Sequence, residues 1–196
     1  MHDYRVAPRS AKDIEALTLA WRETLGVPNN WAPDMLRLLE IELPRLPNLG
    51  QFALITRSDS EMGDAEAYTQ FNPAHIVVRN SIYQMARKRD GRSRMTLAHE
   101  LGHLVMHPGA SKHRTDFPES NAKKARPYEF AEWQANKFAS LFLMPLHIIR
   151  EFAGAAQIAE CCHVSLQAAQ IRHSQIKLPE QLPHVILRTI EDLSTT

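Results

Sequence analysis

The sequence predicts an α+β fold, in which a small, mostly antiparallel sheet packs on helices and a helical part follows. Three observations lead there. Three short runs of strand composition lie close together at residues 51–56, 66–71 and 75–79. Strong helical periodicity flanks them on both sides. Near the C-terminal end, two short helical runs are separated by a tight turn.

The elements follow in order. Ser10 is placed to cap a first helix whose Ile14, Leu17, Trp21 and Leu25 share one face, with Gly26 at its end. Residues 33–42 read as a second helix carrying Met35, Leu36 and Leu39. The run Q-F-A-L-I-T at 51–56 is a strand, and the polar stretch 58–64 reads as a turn. Two more strands, 66–71 and 75–79, join through Asn72 and Pro73. A short helix near 81–88 precedes a longer one around T-L-A-H-E-L-G-H-L-V-M-H-P, residues 96–108, where Leu97, Leu101, Leu104 and Val105 recur at helical spacing and Pro108 ends the run. Residues 128–145 form another helix with Ala131, Ala135, Phe138, Ala139 and Phe142 on one face, Pro127 suiting its first position and Pro145 its exit. The segment 157–173 reads as helix, turn at His163-Val164-Ser165, and helix, with Ser165 as N-cap. The tail 178–193 is a final helix. Residues 1–145 form the core and 146–196 a helical C-terminal subdomain packed on it.

The chemistry concentrates in H-E-x-x-H: His99, Glu100 and His103. Residues four apart sit on one helix face, about 6 Å along the axis. Two imidazoles so placed can converge on one zinc ion, with Glu100 reaching a water at the open coordination position as general base. A third protein ligand is needed. On the downstream helix, Glu132 and Asn136 are four apart on one face, so Glu132 is the favoured carboxylate and Asn136 a residue that steadies a ligand. Glu129 is the competing carboxylate. His107 continues the stripe, but it is rotated about 80° and displaced about 12 Å from His99, too far to share the ion. It is instead a protonated or hydrogen-bonded histidine near the helix C-terminus. His113, Tyr128, His163 and His173 are possible donors to a transition state, which spacing alone does not rank.

T-L-A-H-E-L-G-H and E-W-Q-A-N-K-F-A-S-L-F-L-M-P together resemble the ImmA/IrrE-type zinc metallopeptidases, bacterial and phage-associated proteins with a zincin-like core. The family pattern is H-E-L-G-H, a variable loop, a Glu three residues before Ala-Asn, then F-A and a terminal L-M-P. All of these occur here in order, over a resemblance spanning roughly residues 10–175. Upstream, the strand ending near His75 to Arg79 and the R-x-R of Arg92 and Arg94 agree as well. Met95 stands where members often have phenylalanine, a departure that touches no ligand. The resemblance implies a zincin-like metallopeptidase core, zinc held by His99, His103 and Glu132, and Glu100 as catalytic base. It further implies an endopeptidase acting on one regulatory protein, a helix-turn-helix repressor, with an edge strand holding the substrate extended.

Composition sets the remaining expectations. Hydrophobic residues make up 44% and charged residues 23%, ordinary globular values. A net charge of +1 implies no global pull toward nucleic acid or membrane. The first ten residues lack the apolar core of a signal peptide, and the apolar stretch 138–149 is too short and interrupted to span a bilayer. Cys161 and Cys162 are adjacent and close no loop, so a reduced, cytoplasmic protein is the simplest reading. Without a signal or pro-segment, such a protease needs specificity from docking outside the cleft. The polar connection 108–126, with Lys112, His113, Arg114, Lys123, Lys124 and Arg126, reads as a mobile lid or substrate-contact loop. The basic run Arg87, Lys88, Arg89, Arg92 and Arg94 reads as a solvated face able to attract an acidic substrate segment. The rival reading is a non-catalytic transcriptional regulator or antitoxin-like module, binding DNA or a repressor through the same fold. Against its DNA form, the second helix of 157–173 offers only Arg172 and His173, late in the helix, so specific DNA binding by this chain is not expected.

Overall fold

The computed structural model describes residues 4–108 and 126–176. The predicted lid and the predicted tail helix lie outside these residues. Helix α1 (Ala11–Thr24) starts at Ser10 with a reciprocal capping box to Asp13, and Gly26 adopts a positive φ just past its end. Asp34 caps α2 (Met35–Arg37), which continues as a π-helical turn over Leu38–Glu42 and a 3-10 turn over Leu43–Arg45. The expected helix over 33–42 is therefore present, wound unevenly, with Met35, Leu36, Leu38, Leu39 and Leu43 buried.

Three strands form the sheet: β1 (Ala53–Arg57), β2 (Ala67–Gln70) and β3 (His75–Arg79). Their order is β1-β3-β2, with β1 parallel and β2 antiparallel to the central β3. The sheet is thus mixed. Ile76, Val77 and Val78 of β3 are all buried, as a central strand covered on both faces requires. The stretch expected as a turn, 58–64, contains a helical turn, α3 (Asp59–Met62). A second capping box makes it: Ser58 Oγ accepts from the Glu61 amide while the Glu61 carboxylate accepts from the Ser58 amide. Helices α4 (Asn80–Arg87) and α5 (Gly91–Met106) follow, the second capped by Asp90. A 3-10 turn over Pro127–Glu129 precedes α6 (Ala131–Leu143), so that helix begins later than its prolines suggest. Then come α7 (Leu146–Ile149), α8 (Ala155–Cys162) and α9 (Leu166–Ser174). The α8–turn–α9 unit matches expectation closely: His163 turns the chain at φ 49° and Ser165 Oγ caps α9.

The predicted core positions on the two central helices are buried, except Val105, which is partly buried. Leu97, Leu101 and Leu104 of α5 are buried, as are Ala131, Ala135, Phe138, Ala139 and Phe142 of α6. Burying each Leu or Phe side chain contributes about 1.5–3 kcal/mol. The chain's first described residues add a short extended pairing, Arg5 opposite Phe130, that clamps the entry to α6. Among the described residues, no helix is long and apolar enough to cross a membrane.

Three buried arginines tie the helices together. The last carbonyls of a helix have no partner within it and carry partial negative charge. Arg22 donates to Phe142 O, Pro28 O and Asn30 O. Arg172 donates to Met144 O at 3.0 Å, at the end of α6. Arg94 donates to Cys162 O and His163 O at the end of α8 and to Pro33 O at 2.8 Å. Burial lowers both Arg22 and Arg94 to about 10, so both stay charged at neutral pH. Arg94 thus leaves the basic run that the sequence presents as a solvated face, because its charge serves three main-chain oxygens inside. Gly91, beside the same turn, has no room for a side chain: a Cβ there would lie 2.9 Å from the backbone of Val164 and Ser165.

Arg94→Met keeps the bulk and removes every donor. It should lower unfolding free energy by about 2–4 kcal/mol in urea denaturation. A loss well under 1 kcal/mol would show that the three carbonyls find other donors.

Candidate metal centre

Helix α5 carries His99 and His103 one turn apart, and α6 lies against it at Gly102. A Cβ on Gly102 would meet Phe138 Cβ at 3.1 Å and Ala135 Cα at 3.3 Å, so the glycine lets the two helices approach closely. Glu132, at the start of α6, is thereby carried over the two histidines. His99 Nε2 lies 3.2 Å from Glu132 Oε2, His103 Nε2 lies 3.4 Å from Glu132 Oε1, and the two Nε2 atoms are 3.0 Å apart. These donors form a group that could hold a metal ion. Tetrahedral donors bonded to zinc at about 2.0–2.1 Å would themselves stand about 3.3–3.4 Å apart. The two imidazole–carboxylate spacings lie near that value and the imidazole–imidazole spacing is shorter, and the set of two imidazoles and one carboxylate is chemically suited to zinc.

The two candidate carboxylates, Glu129 and Glu132, separate cleanly. Glu129 makes an ion pair with Arg5 and stands apart from this group. Glu132 is the one the fold brings to the histidines. Hydrogen bonds from His103 and His99 hold its carboxyl far below the usual range. Burial pulls His99 down, but the hydrogen bond to Glu132 and the charges of Glu100 and Glu132 outweigh it and leave the group raised. His99 Nδ1 is 3.1 Å from Asn136 Oδ1, the supporting contact expected of Asn136.

Glu100 is buried at the edge of the cleft, where Thr69 Oγ1 lies 2.8 Å from its Oε2 and 3.0 Å from its backbone carbonyl. The sequence gives no sign of Thr69, because the contact joins α5 to a strand 31 residues earlier. A cleft of about 580 Å³ opens over the group, lined by Asp64, Glu66, Arg92, Met95, Thr96, Glu100 and Asn136 as well as His99 and Glu132. Arg92 pairs with Glu66, which also accepts from Thr96. Strand β2, at one edge of the sheet, contributes Ala67 to the wall. Of the residues considered as transition-state donors, Tyr128, His163 and His173 do not line this cleft, and His113 lies outside the described residues. Cys161 and Cys162 are both free thiols away from the group, and burial pushes Cys162 up to about 11.

His107 is buried, and burial lowers it to about 4, so it is neutral near pH 7. It hydrogen-bonds rather than ligates: its Nδ1 is 3.1 Å from His103 Nδ1 and its Nε2 is 3.2 Å from Gln134 Oε1.

Comparison with known proteins agrees with this geometry. Residues 52–174 match the family model described as the IrrE N-terminal-like domain. Among solved structures, the chain resembles a Mycobacterium tuberculosis transcriptional regulator at 15% identity and a TM-score of 0.59, over 87% of this chain and 48% of that one. The chain therefore spans about half the length of that structure, and the likeness is one of fold. Curated protein sequences give no match.

The close approach at Gly102 is directly testable. Gly102→Val should cost about 1–3 kcal/mol in urea unfolding by overpacking the helix crossing. Gly102→Ala should stay within about 1 kcal/mol of wild type, because its gain in helix propensity offsets the crowding. A fully tolerated valine would show that α5 and α6 have room to spare.

Proposed function

The chain belongs to the family of IrrE N-terminal-like domains, and from that premise we propose that it is a zinc-dependent endopeptidase acting on one regulatory protein, a helix-turn-helix repressor. The observation that carries the proposal is the convergence of His99, His103 and Glu132 beside a buried Glu100 on the wall of an open cleft. A zinc ion held by the three ligands would polarise the scissile carbonyl and lower the pKa of water toward neutrality.

The chain's own residues supply the rest. Glu100 takes the proton of the attacking water and returns it to the leaving amine. Thr69, donating to Glu100 Oε2, holds that carboxylate in place. Asn136 orients His99 from behind. The outer edge of β2 receives the substrate as an added extended strand, aligning one peptide bond with the ligands. Beside it, Met95 offers an apolar contact and the Glu66–Arg92 pair a polar one.

Specificity for one protein calls for contacts beyond the cleft. The α8–turn–α9 unit supplies a surface for them. It is poorly made for DNA: Arg172, one of its two strong polar contacts, is buried with its guanidinium on Met144 O, while Leu166 and Ile171 are exposed on α9. Exposed aliphatic side chains suit a protein partner better than phosphates. The fold likeness to a protein described as a transcriptional regulator supports a role in gene control, as does the ImmA/IrrE resemblance. A reducing, cytoplasmic setting accords with the two free cysteines.

Purified protein should carry about one zinc per chain. His99→Ala, His103→Ala or Glu132→Gln should lose most of it, and Glu129→Gln should keep it. Glu100→Gln should retain zinc and fold and lose about 10²–10⁴-fold in peptide hydrolysis, since an amide takes no proton at neutral pH. Zinc retained in Glu132→Gln but lost in Glu129→Gln would reverse the ligand assignment, and full activity in zinc-loaded Glu100→Gln would remove the base.

Substrate choice is tested by incubating the zinc-loaded protein with unfolded casein and, separately, with a helix-turn-helix repressor encoded beside its gene. One cleavage in the repressor and little casein digestion is the expected pattern. Rapid, many-site casein digestion with an intact repressor would contradict the single-substrate reading.

A further inference from the structure

Behind the cleft lies a buried polar pair that the hydrolytic steps leave unused, His107 and Gln134. The Gln134 amide nitrogen donates to two main-chain carbonyls, Ala7 O and Tyr128 O, each at 2.9 Å. Both its N–H groups are thereby used, so the atom facing His107 Nε2 is its oxygen. An amide oxygen only accepts, and His107 must carry hydrogen on Nε2. A neutral imidazole has one N–H, which leaves His107 Nδ1 as a lone pair. That lone pair faces His103 Nδ1 at 3.1 Å, and two lone pairs there would repel. His103 therefore supplies the hydrogen from Nδ1, so Nε2 is the nitrogen it can give to a metal, beside His99 and Glu132.

We infer that Gln134 and His107 are positioning residues: a two-step hydrogen-bond relay, anchored on the main chain of Ala7 and Tyr128, that fixes His103 in the tautomer able to bind a metal through Nε2. The inference rests on the metal reading proposed above. His99 reaches the same state in one step, through Asn136 Oδ1. The two ligands are thus prepared differently. Asn136 sits at the cleft, while the His103 relay runs inward to the N-terminal segment that pairs with the entry to α6. A metal-binding imidazole generally gives its other N–H to such an acceptor, which sets both tautomer and ring orientation.

The test uses the full chain, zinc-loaded and labelled with ¹⁵N, and reads the imidazole nitrogens by long-range ¹H–¹⁵N correlation. The expected spectrum shows His107 protonated on Nε2 and bare on Nδ1, with His103 protonated on Nδ1. His107→Phe keeps a ring against Tyr4 but offers no acceptor, and chelator competition should show zinc binding weakened by about 10–100-fold. Gln134→Met should weaken zinc in the same direction and spread His107 over both tautomers. If either variant fails to fold by circular dichroism, the wild-type spectrum decides. His107 protonated on Nδ1 in the zinc-loaded wild type would overturn the relay, as would a folded His107→Phe with wild-type zinc affinity. A wild-type protein that takes up no zinc at all would overturn both the relay and the metal reading beneath it.

Discussion

The site depends on how closely α5 and α6 pack. Two histidines one turn apart on a helix define only a line of donors. A third donor at about 3.3 Å from both requires a second helix within side-chain reach. Gly102 permits that approach by presenting no side chain to Phe138 and Ala135. The apolar faces of both helices then supply the attraction, with Leu97, Leu101, Phe138 and Phe142 fully buried. Glu132 sits at the first turn of α6, where a carboxylate is favoured by the helix dipole, and the crossing delivers it to the two imidazoles.

Buried polar groups hold this crossing in register. Arg22 and Arg172 bind carbonyls at the end of α6, and Arg94 binds those at the end of α8, so each arginine both satisfies orphan oxygens and fixes the direction of a helix. Gln134 performs a similar task at the start of α6, joining the main chain of Ala7 and Tyr128. Most of these contacts link segments more than 60 residues apart. They give a small sheet and a set of mostly short helices one continuous core, which extends from Ile14 through Phe142 to Ala169.

Much of this was legible in the sequence, for local reasons. The helix faces, the N-caps at Ser10 and Ser165, β3 and the pairing of His99 with His103 all follow from spacing along one element. Asn136 was readable because it lies one turn from Glu132. The capping box of Ser58 and Glu61 was also written in the chain, as S-D-S-E, yet a polar stretch between strands suggested only a turn. What escaped is non-local. Arg94 looked like one more cation in a basic run, and nothing in its neighbours reveals three carbonyls waiting inside. Thr69 and Gln134 act across 31 and 127 residues. The direction of the β1–β3 pairing likewise depends on how the chain crosses the sheet, which strand composition does not encode.

The central claim is that two imidazoles and one carboxylate of this chain form a zinc site with an open position. X-ray absorption at the zinc K-edge of the purified, zinc-loaded protein tests it most directly. The predicted spectrum has nitrogen and oxygen neighbours only, at about 2.0–2.2 Å, with the outer-shell pattern of two histidines. A sulfur shell at about 2.3 Å would place the metal on Cys161 or Cys162 instead and contradict the site.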